Sequence, residues 1–326
     1  MAKRTQWMGL ACAIGLLLGV SLSTSGQDMG KAAEYYNQAA KTVRNDPSHA
    51  LEGLEKCMEI VGTVDTPEAK SLRERCNKLY PQAYYMKAGQ LYGKKDFKES
   101  LRIMEQAKDA ALKVNDDKFA KRVDNTITQI YFQLALQAQQ GASYDEAIGF
   151  AQKALASNGN FIDAYVLAAQ CLDSLKLRDS MLSTITQGLE TARRTANVKR
   201  QIDLKVLATN FLKAEAKAYY DAKQNEQVVA SLTQALEFDD RDAAVYQTIA
   251  TSEFELKHYE KALEHCEKAL EYAGVGADKT PVYFLEGQCY QALGRKGEAC
   301  KAYRNIEGGE FFKAAQHQIK EVLKCQ

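Results

Sequence analysis

Cysteine, histidine and clustered carboxylates are the residue types in this chain with chemistry to offer. Its eight cysteines, Cys12, Cys57, Cys76, Cys171, Cys266, Cys289, Cys300 and Cys325, would suit disulfides or a thiolate metal site, above all in an exported protein. No Cys-x-x-Cys occurs among them. Cys57, Cys171, Cys266, Cys289 and Cys300 fall where small residues recur along the chain, so most are expected to be small buried packing residues. Cys266 and Cys289 occupy facing positions of adjacent helices in that pattern and are the pair expected to bridge, if any does. Cys76 and Cys325 fall outside it and are the thiols expected at the surface. His258 and His265 stand seven apart, whereas two helical histidines converge on one ion at a spacing of about three or four. No sequence pattern brings Ser, His and Asp together, and no glycine-rich phosphate loop follows a strand. Asp239, Asp240 and Asp242 cluster where a new helix should begin, which suits capping of its positive end better than acid–base work. The expectation is a protein with no catalytic residue, no metal and no cofactor.

The elements that would hold any site are helical. Only 4 prolines occur in 326 residues, amid abundant Ala, Leu, Lys, Glu and Gln. The charge balance of 43 Lys+Arg against 42 Asp+Glu, or +1, argues against nucleic acid as a partner. At 46% hydrophobic and 26% charged the chain is neither disordered nor a multi-span membrane protein. Its length exceeds what a single core usually fills.

The start of the chain reads as an address. Lys3 and Arg4 precede an uncharged stretch from Met8 to Leu22, and small residues follow at Ser21, Ser23, Ser25 and Gly26. That order is the pattern of a secretory signal peptide, residues 1–26, cleaved near Ser25 or Gly26. The rival is an uncleaved anchor, although the apolar run falls short of the roughly 20 residues a span needs. Cys12 lies inside the run, so lipidation is not expected. Removal of 1–26 takes Lys3, Arg4 and the only tryptophan, Trp7, leaving 41 basic against 42 acidic residues, or −1. The mature chain is expected to be periplasmic or envelope-associated, without an integral membrane span.

Beyond residue 27 the sequence repeats. From Ala243 to Leu270, Tyr246, Ile249, Ala250, Tyr259, Ala262, Cys266 and Ala269 recur at helical spacing with a break near Lys257–His258. The same frame returns in Tyr283, Gly287, Tyr290, Gly294, Ala299 and Tyr303, and earlier in Leu212, Ala216, Tyr219, Val228, Leu232 and Ala235. Further copies hold Tyr165, Ala169 and Met181, then Tyr131, Ala135 and Ala147, then Tyr84, Ala88 and Ser100, with a weaker first copy around Tyr35, Ala39, Ala50 and Leu54. This pattern resembles the tetratricopeptide repeat, a helix–turn–helix of about 34 residues. The favoured Trp of that family is replaced here by Tyr or Leu, and its Pro between units is mostly absent. The resemblance implies an all-α, right-handed superhelical solenoid of about seven helix–turn–helix repeats over 27–308. The segment 309–326 would be a capping helix for the apolar face of the last repeat.

Unit starts near Lys31, Pro81, Thr128, Ile162, Thr209, Ala243 and Thr280 give steps of 50, 47, 34, 47, 34 and 37. The two steps of 47 remain rich in Ala, Leu and Lys and predict long helix pairs, Asp96–Val114 with Asp117–Gln139 and Arg178–Thr195 with Lys199–Ala222. In the step of 50, Thr66-Pro67-Glu68 opens a helix that Pro81 is expected to interrupt.

The resemblance also implies where a ligand would sit, on the concave face made by the first helix of each repeat. Carried onto this chain, that face contains Tyr85, Tyr92, Phe132, Gln139, Gln170, Lys213, Lys217, Tyr220, Gln247, Phe254, Phe284 and Gln288. Aromatics mixed with amide and small polar groups suit an extended peptide or a partner helix, although Tyr85 and Phe132 would equally fill space between long helices. The Lys and Asn clamp for a C-terminal carboxylate is not matched, but Lys213 and Lys217, one turn apart, can receive an acidic group. The function implied is a non-enzymatic protein–protein scaffold of the bacterial cell envelope. The alternative is an accessory subunit of an envelope assembly or secretion machine, docking through its convex face or long hairpins.

Overall fold

A computed structural model describes residues 21–326, and among them every regular element is helical. Residues 1–20, with the basic start and most of the apolar run, lie outside the described residues. No described helix is long and apolar enough to cross a membrane.

Seven helix pairs follow one another. They are α1 (Ser21–Thr42) with α2 (Pro47–Gly62), α3 (Pro67–Gly93) with α4 (Phe97–Lys113), and α5 (Asp117–Gln140) with α6 (Tyr144–Ser157). Next come α7 (Ile162–Ser174) with α8 (Arg178–Arg194), α9 (Val198–Asp221) with α10 (Asn225–Leu236), α11 (Ala243–Glu255) with α12 (Tyr259–Tyr272), and α13 (Thr280–Ala292) with α14 (Lys296–Arg304). A short α15 (Phe312–His317) runs into a π-helical turn, Gln318–Val322. The chain divides into two compact units, the first ending at Ala164 and the second beginning at Tyr165 within α7. In the first, α1 to α6 each pack on the next; in the second, α8 to α14 do the same.

The turns explain how so regular an array is encoded without glycine at most corners. Lys95, Asn115, Ala142, Lys176, Ala196, Lys223, Lys257 and Gly294 all have positive φ, between 54° and 73°. In each case the following residue donates its N–H to the carbonyl five residues back, as in Asp96 to Leu91 at 3.0 Å, Asn197 to Ala192 at 2.8 Å and His258 to Glu253 at 2.9 Å. That left-handed residue satisfies carbonyls the helix end would otherwise orphan. The next residue then opens the following helix as its N-cap. Asp96, Asp116 and Asn197 do so with side chains that accept from Glu99, Phe119 and Arg200. One three-residue corner therefore ends one helix and starts its antiparallel partner.

Close packing follows from small residues twelve apart on the two helices of a pair. Ala88 and Ser100, Ala135 and Ala147, Ala216 and Val228, Ala250 and Ala262, and Gly287 and Ala299 are all buried. Where serine replaces alanine, its hydroxyl donates to the Ala88 carbonyl at 2.8 Å, so the buried oxygen is satisfied. Gly287 makes room for the fully buried Tyr303, since a Cβ there would lie 2.5 Å from its ring. Each buried Leu or Ile around these seams, such as Leu54, Ile130, Ile185, Leu212 and Ile249, contributes about 1.5–3 kcal/mol of hydrophobic stabilisation.

Several expectations are corrected. Pro81 does not interrupt α3, which runs unbroken from Pro67, capped by the Thr66 hydroxyl on the Ala69 N–H. The hydrogen bond proline forfeits is offset by packing on both sides of it: Ala69, Leu72 and Cys76 join the core with α2, and Ala88 joins the core with α4. Cys76 is therefore buried instead of exposed, its Sγ 3.3 Å from that of Cys57. Burial pushes both thiols up from their ordinary pKa. The bridge expected between Cys266 and Cys289 is also absent. Both are buried thiols in the α12–α13 core, and desolvation pushes Cys289 up to about 12. The disulfide joins Cys300 to Cys325, with Cα atoms 5.9 Å apart. It forms because the tail after Gly309 folds back over α14, bringing Phe311, Ala315, Ile319 and Leu323 against Ala299, Tyr303 and Ile306. Cys325 lies outside the repeat frame, so the frame alone gives no hint of its partner.

At the corners, Ala142→Gly and Ala196→Gly should each raise stability by about 1 kcal/mol, because an L-residue is strained in the left-handed region. Gly294→Ala should lower it by a similar amount. Urea unfolding followed by circular dichroism reads both signs.

Candidate functional site

Four of the residues expected on a binding face meet in one place. Lys213, Lys217 and Tyr220 lie along α9 and Gln247 faces them from α11; with Leu232 of α10 and Val245 and Thr251 of α11 they line an open cleft of about 470 Å³. The buried Ala216 and the exposed Ala244 line it as well. The small Ala216 side chain leaves room for it, at the seam position where α9 and α10 approach. Tyr220 is 47% exposed, a large ring left half in water where most of its kind are packed away.

Two polar networks fix α9 as the wall of this cleft. Arg178, which opens α8, donates to Glu215 at 2.9 Å and to Gln234 of α10 at 2.6 Å. Glu215 also accepts from the buried Ser231 hydroxyl at 2.6 Å. On the cleft side Lys213 is ion-paired with Asp242. Asp242 is also the N-cap of α11, accepting from the N–H groups of Ala244 and Val245 at 3.1 and 3.2 Å. Burial alone would push its pKa up; the Lys213 ammonium and the two N–H groups outweigh that and hold it below the usual carboxylate range. The acidic cluster thus caps a helix, as its position in the sequence implies. Lys217, one turn further along α9, stays exposed.

A second cleft lies in the first unit. Tyr85 and Tyr92 of α3 face Lys121, Arg122 and Thr126 of α5 across about 680 Å³. The Tyr85 hydroxyl lies 3.3 Å from the Thr126 hydroxyl, and the Arg122 guanidinium sits over its ring at 4.9 Å. Tyr92 packs edge-on to Phe97, with centroids 5.2 Å apart.

The other expected residues are placed elsewhere. Phe132 makes an edge contact with Phe161 at 5.0 Å, Phe254 packs on Tyr259 at 5.5 Å, and Phe284 is held between Tyr303 and Phe311. All three are half-buried, as are Gln139 and Gln288, while Gln170 is exposed. None of these six lines either cleft. The carried-over face positions overlook Leu232, which comes from α10, a second helix, and Thr248, Lys118 and Arg122, which lie on first helices at positions that frame leaves out. The long helix pairs were the available signal, since they extend α5 and α9 alongside the preceding helices. His258 and His265 do not converge; the first bonds Glu253 at 2.7 Å and the second stacks near Tyr246.

Among known proteins, the sequence profile of the tetratricopeptide repeat matches residues 243–274 and 280–306. No curated protein matches the chain. Solved structures with similar helical arrays include the tetratricopeptide-repeat domain of Arabidopsis OM64, 24% identical, covering 36% of this chain and 98% of that one with a TM-score of 0.32. The TPR2AB domain of yeast Sti1 in complex with a pHSP90 segment is 16% identical over 93% of each chain, TM-score 0.31. YrrB, described as having an unusual peptide-binding site, is 16% identical over 67% of this chain and 97% of its own, TM-score 0.30.

The ion pair at the rim of the cleft gives a prediction. Asp242→Asn keeps the cap but removes the charge, and should cost about 1 kcal/mol at neutral pH. A carboxyl whose folded pKa is depressed contributes stability above its unfolded pKa and loses it as pH falls through the folded value. The gap between the two proteins should therefore close below about pH 4, as read by urea unfolding at a series of pH values.

Proposed function

We propose that this chain, whose residues 243–274 and 280–306 match the tetratricopeptide repeat, is a non-enzymatic scaffold that binds a peptide or partner protein in the cleft between α9, α10 and α11. The observation that carries this is the convergence of Lys213, Lys217, Tyr220 and Gln247 on one open cleft. Such a cleft offers apolar surface from Tyr220, Leu232 and Val245 beside an ammonium and an amide. A bound segment gains area from the first and orientation from the second. Lys217 is the group placed to meet a carboxylate, because Lys213 already has Asp242. An extended segment or a helix fits an open cleft of this kind better than a small enclosed ligand would.

The proposed setting is the bacterial cell envelope, after export and cleavage near Ser25 or Gly26. The support is the basic start, the apolar run and the small residues that follow it.

Chemical cross-linking in the native envelope, followed by mass spectrometry, should identify a partner peptide joined to α9 or α11. Recovery should fall about tenfold for Tyr220→Ala combined with Lys217→Glu, since a central aromatic and a charge contact carry much of such binding. Equal recovery with the variant would rule out the cleft. N-terminal sequencing of the same material should begin at Gly26 or Gln27; a chain starting at Met1 would count against export by cleavage.

A further inference from the structure

The first half of α9 carries a strip that the array does not need for its own packing. Val198, Ile202 and Val206 recur every four residues on one face and are 64%, 56% and 51% exposed. With Tyr220 at the far end, α9 holds four of the nine large apolar side chains exposed among the described residues.

The chain contains its own control. Helices α4 and α5 match α8 and α9 in length and in corner positions at a constant offset of 81 residues. The counterparts of Val198, Ile202 and Val206 are therefore Asp117, Lys121 and Asn125, all polar. A long hairpin of this type is built without an apolar strip, so the strip on α9 has another purpose.

Charge narrows what covers it. Between residues 193 and 217 there are seven cationic side chains against two anionic ones, a net +5 in a chain whose total is +1. The equivalent stretch, 112–136, has four against three. Lys205 stands beside the strip, where Ile202, Val206 and Phe238 border an open groove of about 300 Å³ that is also lined by Lys213 and, as its one carboxylate, Asp239. A second copy of the chain would bring one basic strip against another and be repelled. A membrane would be met by a broader surface with aromatic anchors, whereas this strip is one side chain wide. One helix, laid along another, fits that width.

We propose that the first half of α9 docks an acidic amphipathic helix of a partner protein, its apolar face on Val198, Ile202 and Val206 and its carboxylates toward Lys199 and Lys205. This surface lies outside the α9–α10–α11 cleft, so either can fail without the other.

The test uses the full chain and a fluorescein-labelled synthetic peptide of about 20 residues, made of Leu, Ala and Glu, with Leu at helical spacing. Controls are a scrambled peptide of the same composition and vesicles of phosphatidylcholine with phosphatidylglycerol. The ordered peptide should bind saturably and about tenfold tighter than the scrambled one. Ile202→Gln with Val206→Gln should weaken it about tenfold, while Tyr220→Ala leaves it within about twofold. Lys199→Glu with Lys205→Glu should weaken it comparably and flatten its salt dependence, which keeps the test decisive if the first variant has altered circular dichroism. Equal affinity for the scrambled peptide, no saturable binding, or no effect of either double variant would overturn the proposal. So would vesicle binding or self-association that the Ile202 and Val206 substitutions abolish, since the strip would then belong to a membrane or to a second copy.

Discussion

Close approach of antiparallel helices at small residues is the constraint from which the rest of this structure follows. With Ala, Ser or Gly on one helix and a small or slender residue twelve positions later on the next, the backbones draw near enough for larger side chains to interlock around the seam. Ala250 with Ala262 and Gly287 with Ala299 show it most simply, the latter leaving the space that Tyr303 fills. A pair joined this way still has an apolar side, and the next pair covers it. After α14 the described residues hold α15 and a π-helical turn in place of another pair. The tail after Gly309 takes that place, tied down by the Cys300–Cys325 bridge.

The same constraint creates the cleft. Ala216 is small for packing reasons, yet where the flanking side chains are Lys213, Lys217 and Tyr220 the space between helices opens to solvent. Cleft and core thus come from one repeat pattern, differing only in which side chains stand at the margins. The Arg178–Glu215–Ser231 network and the Lys213–Asp242 pair tie α9 to its neighbours.

Helix identity and pairing were legible in the sequence because small residues recur in a fixed frame. The long pairs α4–α5 and α8–α9 could be read from two steps of 47 that stay rich in Ala, Leu and Lys. Pro81 was misread because local propensity disfavours proline inside a helix, and only the packing of α3 on both α2 and α4 reveals why it is accommodated. The pairing of Cys300 with Cys325 was hidden because it depends on the path of a tail with no repeat register. For the α9–α10–α11 cleft, the lining residues on α9 and Gln247 were recoverable from the frame. Phe132, Phe254 and Phe284 were not distinguishable from them, since an aromatic at a face position either lines a cleft or packs on a neighbouring ring, and the neighbour decides.

The most direct test of the small-residue seam is the stability of Ala262→Leu, in which one side chain is enlarged at the contact with Ala250. The account predicts a loss of about 2 kcal/mol in urea unfolding, because the buried backbones cannot separate without uncovering the adjoining pair. A variant as stable as the parent protein, or more stable, would contradict it.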